Sequence, residues 1–420
     1  MKIKNLFATA LLGLSLTGVA NAQGLPGVNY VYITGSTAFR NSVYATLNAS
    51  GQVFDGAPTF SGFGSGTAAK CSYMVFSNTI SSVPYIIKCE WSGSEAGVID
   101  AVSNVLETFP ADSELTSAPG ANSSPSTPPS IDSHQSDLAM VDNDQGHSRT
   151  TKPNLTGGEV GVIPFTYVKN AQIAADKTAD WLAWNNVTVA QVNTALLNNG
   201  TPLSMFTGNA ADTNFVYVAG RNNNSGTRAN FLLNAALGVK TAVGQIYVTG
   251  GSATDLTGNT PITFENQALL GIANGASTYC GNDGQDSGGT LATTMTYLGS
   301  GHQADPNQPY VGGANTGWYA IAYLGRSDAN TAISGGAVEL LFQGVAESPA
   351  NIESGVFPFW GNEWVYKALN DSANSGPQGT VYSKLVSKIP TNLDGTTGIP
   401  YSSMSVYKTT SASYPIENGF

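Results

Sequence analysis

Three times in this chain an apolar, β-rich run stops at a cluster of small residues and passes directly into a helix-like segment. The run 28–34 ends at Gly35-Ser36-Thr37, and 38–47 has a helical pattern. The run 84–91 ends at Ser92-Gly93-Ser94, before a helical pattern over 97–107. The run 215–219 leads through Arg221 to Ser225-Gly226-Thr227, with a helix expected over 229–237. A strand tied to a helix by so short a turn folds the helix back over the sheet, so repetition of the unit predicts an α/β fold with parallel strand pairs. Further strands are expected at 137–141, 160–168 and 318–324. A helical stretch is expected within 171–197, packed through Trp181 and Trp184, and the pattern at 337–342 reads as helix. Residues 51–70 read as a glycine-rich loop, and 111–135 as a Pro/Ser/Asn-rich surface excursion. Residues 249–314 are mostly Gly, Asn, Ser and Thr, and 356–366 form a mixed aromatic stretch. No internal repeat is visible.

The opening residues predict export. Lys2 and Lys4 precede an apolar run over 6–19, and Ala20-Asn21-Ala22 has the small-x-small form of a signal-peptidase site. A leader over 1–22 is therefore expected, cut near Ala22-Gln23. No cysteine follows it that could carry a lipid. The run is shorter than the ~20 residues that span a bilayer, and no later segment is long and apolar enough to do so. The expected product is soluble, and periplasmic or secreted. Removing the leader leaves 15 Lys and Arg against 28 Asp and Glu, a net charge of -13. So acidic a chain is a poor nucleic-acid partner, because binding the phosphate backbone needs a basic surface. It can still hold a small anion, because a buried site acts through local dipoles.

About 400 residues exceed what one core usually holds, so two lobes are expected. Export permits a disulfide, and Cys71 and Cys89 flank a turn near Ile80; bridge and free thiols both remain open, with Cys280 left over. The cysteines and His134, His147 and His302 lack metal-ligand spacing, so neither metal nor cofactor is expected.

The turns themselves carry the chemistry. The first N–H groups of a helix have no intrahelical partner and lie at the positive end of its dipole. Small hydroxyl residues add donors and admit an anion close to the backbone. One such turn is an ordinary helix cap, so the significance lies in having three. The third turn adds Arg221, whose guanidinium can hold an oxyanion by two parallel hydrogen bonds.

At this point the sequence resembles the phosphate-binding proteins of bacterial ABC phosphate importers, which have the two-lobed periplasmic type-2 fold. Arg221 with Ser225-Gly226-Thr227 and Phe231 looks like their Arg, Ser-Gly-Thr and aromatic pattern. Gly35-Ser36-Thr37-Ala38-Phe39 with Val43-Tyr44 looks like their opening turn and helix. The segments 137–142, Val162-Ile163-Pro164-Phe165, 320–324 and Phe357-Pro358 follow in the same order. The resemblance implies mixed sheets flanked by helices, and a first lobe over 23–168 and 355–420 that includes the 111–135 insertion. The second lobe would span 169–354, with a ligand cleft between the two. It implies phosphate contacts from Ser36, Thr37, Ala38 and the Phe39 N–H, from Ser92 or Ser94, and from Arg221, Ser225, Gly226 and Thr227. Asp142, with Asp144 as its competitor, would accept a proton-borne hydrogen bond from the anion and so select hydrogen phosphate over sulfate. An ABC membrane component is the implied partner. The chain departs from the pattern at Ala38, where a hydroxyl is usual, at Arg40, where proline is common, and at Val141 before Asp142.

Two other readings compete with this one. A secreted phosphatase using Ser225 or Ser36 would need an activating base or metals, and no G-x-S-x-G elbow is present. A surface protein could keep the fold without the ligand.

Overall fold

The structure is a computed structural model. It describes residues 25–64, 67–103, 105–115, 121–123, 127–171, 177–198, 200–249, 263–265, 284–299, 319–369, 376–412 and 416–417. The expected leader 1–22, Cys280 and His302 lie outside the described residues.

The first strand, β1 (Asn29–Gly35), buries Val31 and Ile33 completely and runs into α1 (Arg40–Asn48). Next come β2 (Thr59–Phe63), β3 (Tyr73–Ile80), β4 (Val83–Glu90) and α2 (Ser94–Ser103). The strand β5 (Leu138–Val141) lies beside β1 in parallel, and β4 pairs with β1 in parallel on the other side. These are the strand neighbours that the repeated strand-turn-helix unit predicts.

The long strand β6 (Thr156–Lys169) changes partners along its length. Residues as far as Pro164 pair with β10 (Trp360–Lys367). From Phe165 onward it pairs with β8 (Tyr319–Gly325), and at its end also with β9 (Val338–Phe342). β7 (Phe215–Ala219) runs parallel to β8. These strands thus join into one 13-stranded sheet whose main path runs Thr201–Pro202, β7, β8, β6, β10, β5, β1, β4, β3, β2, Ala121–Ser123, with β9 and Asn186–Val187 off that path. The helices α3 (Val189–Leu197), α4 (Gly226–Asn234), α5 (Gly288–Gly299), α6 (Arg326–Ser334) and α7 (Pro377–Lys388) complete the α/β architecture. One core centres on Trp181, Tyr167, Phe231, Tyr323 and Phe359, and another on Ile33, Phe39, Phe60, Phe76 and Leu385. Trp181 stacks on Trp184, the packing role expected of both.

The β3–β4 hairpin closes through Ser81 and Ser82, both left-handed at φ 52 and 64. Two positive φ values are what a tight two-residue hairpin turn requires, and serine adopts them less readily than Asn-Gly. Asp55 compensates by accepting hydrogen bonds from the N–H groups of Ser81 and Ser82 and from the Thr79 hydroxyl. The hairpin register sets Cys89 opposite Met74, with Cys71 outside the strand. Cys71 and Cys89 are consequently separate, buried thiols.

Four local expectations are corrected. Residues 51–70 contain β2, which pairs with β3 and buries Phe60. The α2 helix stops at Ser103, and Leu106–Pro110 becomes a strand paired with Ile131–Gln135, which anchors both ends of the excursion. Residues 337–342 are strand and not helix, because they alternate exposed and buried positions against β6. The 356–366 stretch resolves into β10. Among the described residues no helix is long and apolar enough to cross a membrane.

Candidate functional site

The three small-residue turns meet. In the first, Gly35 has φ +128, and a Cβ there would collide with the Met140 carbonyl. Only glycine leaves β1 so close to β5. Ser36 then folds back, its Oγ accepting the N–H groups of Ala38 and Phe39, both at 3.1 Å. Its hydroxyl donates to Asp142 Oδ2 at 3.2 Å. In the second turn, Gly93 has φ +114 and no room for a Cβ beside the Asn224 carbonyl. Ser94 follows at the start of α2 and donates its hydroxyl to Asp142 Oδ1. Ser92 lies beside Glu90, so Ser94 is the serine of this turn that reaches the cluster.

The third turn closes from the opposite side. Ser225 caps α4 by accepting the Arg228 N–H at 3.2 Å. Gly226 packs so tightly that a Cβ would strike Asp142 Oδ1 and Ser94 Oγ. Thr227 is 2% exposed. One turn further along α4, Asn230 donates to the Asp142 carbonyl at 2.7 Å. Backbone bonds reinforce the approach, since the Glu95 N–H donates to the Asn224 carbonyl at 2.9 Å. The N-terminal ends of α1, α2 and α4 are thus gathered around one carboxylate.

Arg221 is 1% exposed and spans the gap. Its Nη2 donates to Thr37 Oγ1 at 3.1 Å and to the Asp286 carbonyl at 2.9 Å, and its Nε donates to the Gln285 carbonyl at 3.0 Å. Its backbone is fixed as well: the N–H donates to the Tyr323 hydroxyl, while its carbonyl accepts from Arg228 and Gln245. Phe231 stacks on Tyr323 at 3.7 Å between ring centres, linking this turn to the core.

Burial pushes the Asp142 carboxyl above the usual range, although the Ser94 and Ser36 hydroxyls and the Arg221 charge act to lower it. Burial also lowers the Arg221 guanidinium, opposed by the charges of Asp328, Tyr323, Asp142 and Asp286. Asp144 takes no part in this cluster. It caps a short turn at His147 and accepts the Ser411 N–H. His134 stacks on Tyr32, and among the described residues no group of His, Cys, Asp and Glu could hold a metal.

Several participants were invisible in sequence. Asn230 could have been found, lying four residues after Gly226 on the same helix face. Gln245, Gln285 and Asp328 arrive from distant segments with no motif of their own, whereas Tyr323 lies in the 320–324 segment. Chemically, the arrangement gathers helix N-termini, hydroxyls, one guanidinium and one acceptor-only carboxylate in a buried cluster, a combination suited to binding an anion that carries a proton.

No protein-family model matches the chain, and no curated protein matches it. Among solved structures it is similar to a putative phosphate ABC transporter substrate-binding protein with bound phosphate from Clostridium perfringens. That match has a TM-score of 0.45 and 13% identity, over 85% of this chain and 93% of that one. It is also similar to an ABC-type phosphate transport receptor from Vibrio cholerae, with TM-score 0.40, 11% identity, and 86% and 97% of the two chains covered. PstS from Borrelia burgdorferi gives 0.35 and 11%, over 85% and 92%.

Proposed function

We propose that this protein is an exported solute-binding protein that captures phosphate, or a similar tetrahedral oxyanion, between two lobes for delivery to an ABC-type importer. The observation that carries the reading is the convergence of the turns. Gly226 at the start of α4 abuts Asp142 and Ser94, while Arg221 reaches across to Thr37. An oxyanion entering here would take the serine hydroxyls and the guanidinium as donors, and would offer its own proton to Asp142. The lobes are those expected from sequence. In support, β6 changes its pairing partner at Pro164 and Phe165, before the expected boundary at 168–169, and the return strand follows the expected boundary at 354–355. Closure then brings the α4 turn onto the α1 and α2 turns. Cleavage of the leader predicts a secreted chain that begins at Gln23.

The test is calorimetric titration of the secreted chain with inorganic phosphate, for which one tight site is expected. Arg221→Ala should weaken it by about 2–5 kcal/mol, the scale for truncating one partner of a buried charged contact. A wild-type protein indifferent to phosphate, arsenate and sulfate would overturn the reading.

One observation favours a second reading, a surface protein that keeps the fold without the ligand. Ser36 and Ser94 already donate to Asp142, and Arg221 already has three acceptors. A ligand that binds only the native state must raise its stability. An unchanged melting temperature in millimolar phosphate would therefore select this second reading.

A further inference from the structure

Arg40 opens α1, one residue after Phe39, and is 5% exposed. Among the described residues none accepts a hydrogen bond from its guanidinium, whereas Arg221 has three acceptors. A cation removed from water without a partner is costly, so a buried arginine is normally paired. Its neighbours place it in the cleft and not in a core. A Cβ added at Gly325 would lie 3.6 Å from Ala38 Cβ, and Asn41 donates to the Ser327 hydroxyl at 3.0 Å, so α1 begins against the start of α6.

Three charged or titratable groups act on Arg40: Asp328 from α6, Arg221 from the turn after β7, and the Cys71 thiol from the segment before β3. Asp328 is shared. Lys70 lies 3.6 Å from it, and Gly288 at the start of α5 packs on its carboxylate. On this side of the cleft, two guanidiniums and an ammonium therefore face two carboxylates, Asp328 and Asp286, which leaves one positive charge in excess. On the other side Asp142 supplies an acceptor for a ligand proton.

We propose that Arg40 is a second anion-binding cation of the cleft, and that it makes the site prefer a proton-bearing dianion of the hydrogen-phosphate class over the singly charged form. The proposal rests on the phosphate-binding reading above. The acceptor Asp142 accounts for the ligand's proton, and the excess of positive charge around Arg40 accounts for its second negative charge. Arg40 stays charged throughout, and burial pushes the Cys71 thiol up to about 11, so neither titrates near neutrality.

The test is calorimetric titration of the full chain with inorganic phosphate at about pH 8 and about pH 5.5, which bracket the second ionisation of a phosphoryl group. The wild type should bind more tightly at the higher pH. Arg40→Gln should lose about tenfold or more in affinity there and little at the lower pH, which flattens the ratio. Arg40→Lys should restore part of it. Asp142 is unchanged in every variant, so a change in the ratio reports Arg40. If Arg40→Gln does not fold, Arg40→Met keeps the apolar stem and is read in the same way. A ratio unchanged from wild type in the Gln or Met variant overturns the proposal, and leaves the phosphate-binding reading standing if Arg221→Ala still weakens binding. Wild-type protein that binds no phosphate at either pH overturns both.

Discussion

Asp142 and Glu363 are both buried carboxyls, 1% and 0% exposed, and burial pushes both above the usual range. Their surroundings differ. Asp142 receives the hydroxyls of Ser36 and Ser94 and lies near the Arg221 charge. Glu363, in β10, has neither oxygen hydrogen-bonded and lies against Gly161 and Gly398, with the Asp142 charge as a further upward push. The difference shows two ways for a fold to hold an acid in its interior. Where strands end and helix N-termini gather, donors are plentiful and the group is ready for chemistry. Within β10 no donor among the described residues reaches Glu363, so the acid is accommodated by holding its proton.

The comparison breaks most visibly at Gly226. Gly226→Ala would drive a Cβ into Asp142 and Ser94. Phosphate binding should vanish in titration, and denaturant unfolding should show a loss of about 3 kcal/mol, the upper range for overpacking. A variant that still binds would mean that the turns do not close on a ligand as described.

Asp142→Asn comes next. It removes a charged acceptor from two serine hydroxyls, at a cost of about 1–3 kcal/mol in stability. It also removes the charge that opposes a fully ionised anion, so the preference for phosphate over sulfate in competition titrations should shrink.

Glu363→Gln should act in the opposite direction, and its effect should depend on pH. The folded carboxyl holds its proton above the unfolded value of about 4.3. The folded state therefore binds more protons than the unfolded one in that window, and stability is lost as pH rises from about 4.3 toward the folded value. Glutamine does not titrate, so the variant should gain about 1–2 kcal/mol at pH 8 and almost nothing at pH 4. Unfolding curves at the two pH values measure this, and equal effects at both would erase the distinction between the two acids.

What sequence revealed followed from local chemistry. β1, β4 and β7 were visible because each is a short apolar run cut off by small residues, and Arg221 and Ser225-Gly226-Thr227 stood out because they occupy one turn. The choice between Ser92 and Ser94 could not be made in advance, since it depends on how α2 begins relative to β5. Residues 337–342 read as helix because Val338-Glu339-Leu340-Leu341-Phe342 is too short to display a period, and only the β6 edge makes it a strand. Glu363 and Asp328 were silent for a different reason. A lone acid in a strand or helix carries no signal of burial, and their neighbours come from segments far away in the chain. Arg40 drew notice only as a departure from a resemblance, and its lack of acceptors is a tertiary fact.

The partner change inside β6 bears on how the molecule melts. One uninterrupted strand is hydrogen-bonded to β10 along its first part and to β8 along its last, so neither half has a complete sheet without the other. Multi-domain chains commonly unravel in separate calorimetric steps because few contacts cross their linkers. Here β6 belongs to one continuous sheet on both sides of the change. Heating should therefore release the two halves together, as a single cooperative transition whose enthalpy belongs to the whole chain.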